Sequence, residues 1–189
     1  MQAMLGIVYV ILPVIMAGIV HSIVIRFNLI PQLARPLDFG ACLRGQPLLG
    51  ANKTFRGVII MMAGTALSAW ALSYLLPGEQ LPGGFGLMTQ PGPASMAGLI
   101  MGLGYSLGEL PNSFIKRRLR VPPGGRPAGA TRALFYFADQ MESVIGVVIL
   151  LWAVYAPAYG VLLALLVTGG LVHILFDVCL YLFGVKHGD

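Results

Sequence analysis

Residues 143–176, SVIGVVILLWAVYAPAYGVLLALLVTGGLVHILF, run for 34 positions without a charge. A bilayer core takes about 20 apolar residues per helix. The stretch is too long for one span and long enough for two. Tyr155-Ala156-Pro157-Ala158-Tyr159-Gly160 supplies the break, because proline and glycine punctuate helices and tyrosine favours the membrane–water interface. Upstream, Ala3 to Ile25 and Gly57 to Leu76 carry no charge, and the run from Ala94 to Gly108 continues through Glu109 to about Ile115. The expected spans are therefore about 3–25, 57–76, 94–115, 133–156 and 158–183. This predicts an all-α integral membrane protein with five transmembrane helices in a single domain, 1–189.

Composition agrees. Hydrophobic residues make up 57% of the 189 and charged residues 10%, against roughly 45–50% and 25% in ordinary soluble domains. Mean hydropathy is +0.83. Disordered, collagen-like and disulfide-framed secreted chains are excluded, as is a conventional cytosolic enzyme. Cys42 and Cys179 lie far apart without a CxxC or metal-ligand pattern and read as free thiols. The first run lacks a basic leader and reads as a retained span, not a signal peptide.

The basic residues test the span count. Segment 26–56 holds Arg26, Arg35, Arg44, Lys53 and Arg56. Segment 114–132 holds Lys116, Arg117, Arg118, Arg120, Arg126 and Arg132, and Lys186 stands in the tail. Together these are all 12 basic residues, and the alternate loops, 77–93 and 155–159, have none. Five spans put the three basic segments on one side, which the positive-inside rule makes cytoplasmic. The N-terminus is then outside, the C-terminus inside, and loops 26–56 and 116–132 are cytoplasmic.

Ionisable side chains inside a span are costly and point to function. Glu109 lies seven residues from Lys116, and Asp139 seven from Arg132, each roughly 10 Å deep at 1.5 Å per residue. Asp177 is nine residues from Lys186, roughly 13 Å. Six of the seven acids, Glu79 being the exception, fall in the inner leaflet or inner loops. This describes a polar chamber open to the cytoplasm. Asp139 and Glu142 share a helix face at i, i+3; Glu109, Asn112, Ser113 and Lys116 form a stripe; His173 and Asp177 are at i, i+4. Facing carboxylates repel in low dielectric unless a cation lies between them, and oxygen ligands beside basic groups suit Mg²⁺ with a phosphate substrate. The competing reading pairs these acids with Lys and Arg as structural ion pairs. His21 reads as a helix-contact residue.

Two basic segments flank the chamber. Lys53 and Arg56, in Pro47-Leu-Leu-Gly-Ala-Asn-Lys-Thr-Phe-Arg-Gly57, sit beside a helix start, which favours anions. Ala51 and Asn52 stand where a P-loop needs Lys-Ser/Thr, so a P-loop is rejected. Ser113-Phe-Ile-Lys-Arg-Arg-Leu-Arg120 ends the third span. Its arginines suit phosphates, and the absence of alternating aromatic residues argues against nucleic acid.

These segments, with Pro36-Leu-Asp-Phe-Gly40, Gly108-Glu-Leu-Pro-Asn-Ser-Phe-Ile-Lys-Arg-Arg118 and Asp139-Gln-Met-Glu-Ser143, follow one another in an order and spacing that resembles the CDP-archaeol synthases, small relatives of phosphatidate cytidylyltransferases. The resemblance implies a membrane nucleotidyltransferase, acting at the cell membrane from the cytoplasmic side. It would transfer CMP from CTP to a lipid phosphate, ether- or ester-linked, with Mg²⁺ as cofactor. It implies Asp139 and Glu142 as metal ligands; the shared depth of Glu109 adds it to them, and the charge pattern makes Lys116, Arg117 and Asp139 the expected catalytic residues. Lys53, Thr54, Arg56, Ser113 and Arg118 would bind substrate. The family's usual Asp-Gln-x-Asp reads with Glu142 as its second acid here, and its usual His-x-x-x-Asn reads His173 and Asp177. CTP, the lipid phosphate and the bilayer are the expected partners, and a homo-oligomer is compatible with the pattern. The rival readings are a transporter subunit or scaffold binding anionic headgroups, and a phosphotransferase that consumes CDP-lipids. The latter's Asp-Gly-x-x-Ala-Arg motif is absent.

Overall fold

The computed structural model describes residues 2–75, 88–125, 127 and 129–182. Leu76, Glu79 with most of the 77–93 loop, Arg126, Phe183, and the tail with Lys186 and Asp189 lie outside the described residues. Five long helices make up the bundle: α1 Gln2–Arg26, α2 Phe55–Leu75, α3 Pro91–Arg118, α4 Arg132–Tyr155 and α5 Tyr159–Leu182. The loop between α1 and α2 carries a small antiparallel hairpin, β1 Cys42–Leu43 with β2 Gln46–Pro47.

The 34-residue run divides where proline and glycine suggested. α4 ends at Tyr155, and Ala156 adopts a left-handed φ of 42° while its N–H still reaches Trp152 O. Stretches in α1, α2, α4 and α5 are long and apolar enough to cross a membrane, with mean hydropathies of 2.4, 1.7, 1.6 and 2.2. α3 is not among these four, although it has 28 residues. Its glycines, serines and the polar stripe from Glu109 to Lys116 lower its apolarity.

Those glycines let α3 sit at the centre. A Cβ on Gly98 would stand 2.5 Å from Thr65 O, and one on Gly102 2.5 Å from Met61 O, so α2 and α3 touch backbone to backbone. Thr65 Oγ1 lies 2.5 Å from the Gly98 carbonyl and donates to it. On the other side of α3, Gly104 and Gly108 meet Gly146 of α4 just as closely. Small residues at helix interfaces gain dispersion and weak polar contacts that lipid-facing apolar side chains cannot supply.

The two ends of the bundle differ. Tyr9 and Val10 of α1, Leu72 of α2, Ala97 and Met101 of α3, Leu151 of α4 and Leu165 of α5 form one buried apolar cluster at the end remote from the hairpin. The polar side chains gather at the hairpin end. Asp38 organises the loop there: its Oδ1 accepts from Gly40 N (3.0 Å), and its Oδ2 from Leu49 N (2.9 Å) and Gly50 N (3.1 Å). Leu37 N to Lys53 O (2.8 Å) and Phe55 N to Arg35 O (3.0 Å) then tie the loop's beginning to the start of α2.

Candidate active site

Thr54 caps α2, its Oγ1 accepting from Gly57 N at 3.2 Å. This turn sends the Lys53 side chain into the bundle, where it forms an ion pair with Glu109 of α3. Ser143 of α4 donates to the other Glu109 oxygen at 3.2 Å. Two turns further along α3, Lys116 forms a second ion pair with Asp139 of α4, and Asn112 donates to the same Asp139 oxygen at 2.6 Å. The stripe expected on α3 and the acidic face expected on α4 thus meet. Neither lysine is more than a sixth exposed, so both pairs lie where electrostatic attraction is stronger than at a free surface.

Glu142 completes the cluster. Its electrostatic neighbours are Glu109, Asn112, Lys53 and Asp139, and its Oε2 is buried without a hydrogen-bond partner. The carboxylates do not form the three-ligand cluster anticipated from sequence. Among the described residues, no three His, Cys, Asp or Glu side chains group closely enough to hold an ion. The lysines reach in between, so the ion-pair reading of Glu109 and Asp139 describes their geometry.

The arginines separate into two kinds. Arg56 is buried and donates through Nη1 to Asn28 Oδ1 (2.9 Å) and Leu29 O (3.0 Å), binding the end of α1 to α2. Arg118 donates to the carbonyls of Leu43 (2.6 Å), Gln46 (3.1 Å) and Pro47, fastening the hairpin to α3, and stacks over Phe114. Both were read as substrate-binding, yet both spend donors on backbone carbonyls. Arg117 differs in degree: it is 4% exposed and both its Nε and Nη1 have no partners, whereas Arg56 and Arg118 each leave only Nε unpartnered. It lies under the turn at Gly50, whose φ of 103° suits only glycine, and a Cβ there would stand 3.2 Å from Arg117 Nη1. Ser113 is buried one turn before Arg117 on the same face of α3.

His173 donates from Nδ1 to Gln140 Oε1 (2.9 Å), and its Nε2 accepts from Tyr105 OH (3.2 Å). This ring links α5 to α4 and α3. Asp177 follows one turn later on α5 and is half-buried.

Sequence reasoning missed His21 and Tyr105. Both line a small pocket of about 40 Å³, where Asn52, Lys53, Thr54 and Glu109 stand beside Leu37, Val58, Met61 and Leu110. His21 is the helix contact its position suggests, its ring packed against α2 where a Cβ on Gly57 would stand 3.3 Å from Nε2, and it lines this pocket as well. One signal was available. His21 lies five residues from Arg26, roughly 8 Å deep, which is close to the depth of Glu109.

Residues 1–188 match the family described as CarS-like CDP-archaeol synthase. The chain belongs to that family. It is 33% identical to the CDP-archaeol synthase of Thermofilum pendens over 153 residues, which is 80% of this chain and 64% of that one, so it spans just under two thirds of that relative. It is 35% identical to the Halobacterium salinarum CDP-archaeol synthase over 159 residues, 80% of this chain and 81% of the relative. The Methanopyrus kandleri CDP-archaeol synthase is 33% identical over 156 residues. Among solved structures, an intramembrane enzyme for archaeal membrane lipid biosynthesis superposes with a TM-score of 0.60 at 24% identity, covering 90% of this chain and 92% of that one. That likeness establishes the fold. Three of the segments quoted above for the resemblance meet here: the turn before α2, the end of α3 and the start of α4.

Proposed function

We propose that this chain is a CTP-dependent cytidylyltransferase that moves CMP from CTP onto a membrane lipid phosphate. A lipid phosphate oxygen forms a bond to the α-phosphorus of CTP. The bond from that phosphorus to the bridging oxygen of the β-phosphate breaks, and pyrophosphate leaves. The relatives' name makes archaeol phosphate the first lipid to test. The charge pattern supports five spans with the N-terminus outside and the site open to the cytoplasm, where CTP is found.

The observation that carries the reading is the arrangement of charge within two helical turns along α3: two Lys–carboxylate pairs, the unpartnered Glu142 oxygen, and Arg117 with its Nε and Nη1 unpartnered. In this reaction Lys53 and Lys116 offset the growing charge on the phosphates, and Arg117 adds a third cation from below the Gly50 turn. A lipid phosphate is already a nucleophile, so the catalytic work is positioning and electrostatics. Arg56 and Arg118 hold the walls from which Lys53 and the hairpin act.

The donor set fits Mg²⁺. The orphaned Glu142 oxygen beside Asp139 and Glu109 gives hard carboxylate ligands, and Mg²⁺ commonly takes one or two carboxylates, completing its shell with substrate phosphates and water. Asp139 and Glu142 would hold the ion, which would neutralise charge on the triphosphate, while Glu109 keeps its ion pair with Lys53.

The test is incubation of purified protein with labelled CTP, Mg²⁺ and a panel of lipid phosphates. Labelled CDP-lipid together with pyrophosphate is the expected result. No product with any lipid phosphate would favour the scaffold reading.

A further inference from the structure

His173 takes no part in the transfer step, yet it touches a side chain that adjoins the groups that do. Its Nδ1 donates to Gln140 Oε1 at 2.9 Å, and Gln140 is buried. That commits the Nδ1 proton and makes Nε2 an acceptor, to which Tyr105 OH donates at 3.2 Å. Tyr105 stands on α3 one turn before Glu109, on the same helix face. Ser143, Glu109 and Glu142 are the electrostatic neighbours of its hydroxyl. Glu109 is itself held from two sides: Ser143 donates to Oε1 at 3.2 Å, and Lys53 pairs with Oε2.

A buried hydroxyl needs an acceptor. On one side, Tyr105 and His173 border an apolar cavity of about 70 Å³, whose other side chains, Val10, Val14, Val148 and Leu165 among them, offer none. On the other side Tyr105 borders the small pocket that contains Lys53 and Glu109. Without His173 Nε2, the next side-chain acceptors are Ser143 and the Glu109 carboxylate, and a bond to the carboxylate is the stronger of the two. A phenol donor there competes with Lys53 and Ser143 for the same pair of oxygens.

We infer that His173 is a positioning residue: by accepting the Tyr105 proton it keeps the phenol off Glu109, so that Glu109 holds Lys53 where the phosphates arrive. The inference rests on the cytidylyltransferase reading and deepens it. α5 supplies no member of the two Lys–carboxylate pairs, and through His173 it nevertheless sets the place of one of their cations.

The first experiment needs no turnover. Lysines are found at positions 53, 116 and 186. The full-length protein in vesicles is treated with a water-soluble amine-acetylating reagent, and the rate at each lysine is followed by peptide mass spectrometry. Lys116, paired with Asp139, is the internal reference. His173→Ala is expected to speed acetylation of Lys53 relative to Lys116 by about five- to tenfold, the worth of one hydrogen bond. His173→Gln, whose side-chain carbonyl can accept from Tyr105, should keep Lys53 close to its wild-type rate. An unchanged Lys53 rate in His173→Ala, or Lys53 and Lys116 speeding up together, overturns the inference.

The second experiment is kinetic. His173→Ala is expected to lower kcat by about five- to tenfold with KM for the lipid phosphate unchanged, because Lys53 acts on charge that grows in the transition state. Whatever rate Tyr105→Phe shows, adding His173→Ala to it should lower kcat no further, since the competing donor is already gone. Losses that multiply in the double variant would mean that the two residues act independently, and they refute the inference. Failure of wild-type protein to make any CDP-lipid refutes the cytidylyltransferase reading instead, and the Lys53 to Lys116 ratio still decides the role of His173.

Discussion

Asp139→Asn removes one negative charge and almost no volume. Lys116 and Asn112 both converge on Asp139 Oδ1, and an asparagine oxygen can go on accepting from them. The local packing should therefore survive. Because the asparagine keeps both hydrogen bonds, the stability loss should be only about 1 kcal/mol. Activity should respond much more. A preorganised electrostatic contact in an active site is worth about 10²–10³ in rate, and each factor of ten is about 1.4 kcal/mol of barrier. The expected loss is thus about 3–4 kcal/mol of transition-state stabilisation, several times the loss in folding stability. The assay is labelled CDP-lipid formation at saturating lipid phosphate with Mg²⁺ titrated, alongside thermal unfolding in detergent. The midpoint of the Mg²⁺ titration should move upward together with the fall in rate. Full activity with an unchanged Mg²⁺ midpoint would refute both the placement of Asp139 at the reacting phosphates and the ligand role assigned to it.

Gly146→Ala should destabilise the bundle by about 1–3 kcal/mol, because a Cβ there collides with the backbone of Gly104 and Gly108; an unchanged melting temperature would contradict the close α3–α4 approach. His21→Ala should raise KM for CTP by up to about tenfold, the worth of one hydrogen bond, and leave KM for the lipid unchanged, which steady-state kinetics can check. Desolvation is the largest single influence on Asp38 and pushes its carboxyl up, but the N–H groups of Leu49, Gly40 and Gly50 together outweigh it and hold it below its ordinary value. A carboxyl with a lowered folded pKa stabilises the folded loop fully above its unfolded value near about 4, and that contribution is lost as pH falls through the folded value. Amide exchange at Leu49 and Gly50 should accelerate in that acid window, and in Asp38→Ala it should already be fast at neutral pH.

The helical period made single-helix facts readable. The stripe Glu109–Asn112–Lys116 and the pair Asp139–Glu142 each follow from spacing along one helix, and the break at Ala156 follows from proline and the interfacial tyrosines. Facts that need two helices were not readable in the same way. That Lys53 reaches Glu109 depends on the α2–α3 approach, set by Gly98 and Gly102. That Arg56 and Arg118 bond carbonyls depends on the path of an irregular loop, and backbone acceptors leave no trace in side-chain patterns. Arginines near a phosphate site resemble arginines that brace a loop until the loop is seen. His21 stayed hidden for the same reason, since its partners come from α2 and α3. α3 is the converse case: the composition that places the site on it also lowers its hydropathy below that of its neighbours.

The separation of greasy packing at one end of the bundle from charge at the other has a practical consequence for adapting this protein to heat or detergent. Denser filling around Tyr9, Leu72 and Leu151 would raise the melting point from a location several helical turns away from the phosphates. Endurance and turnover could then be adjusted by independent sets of substitutions, without the usual trade of one against the other.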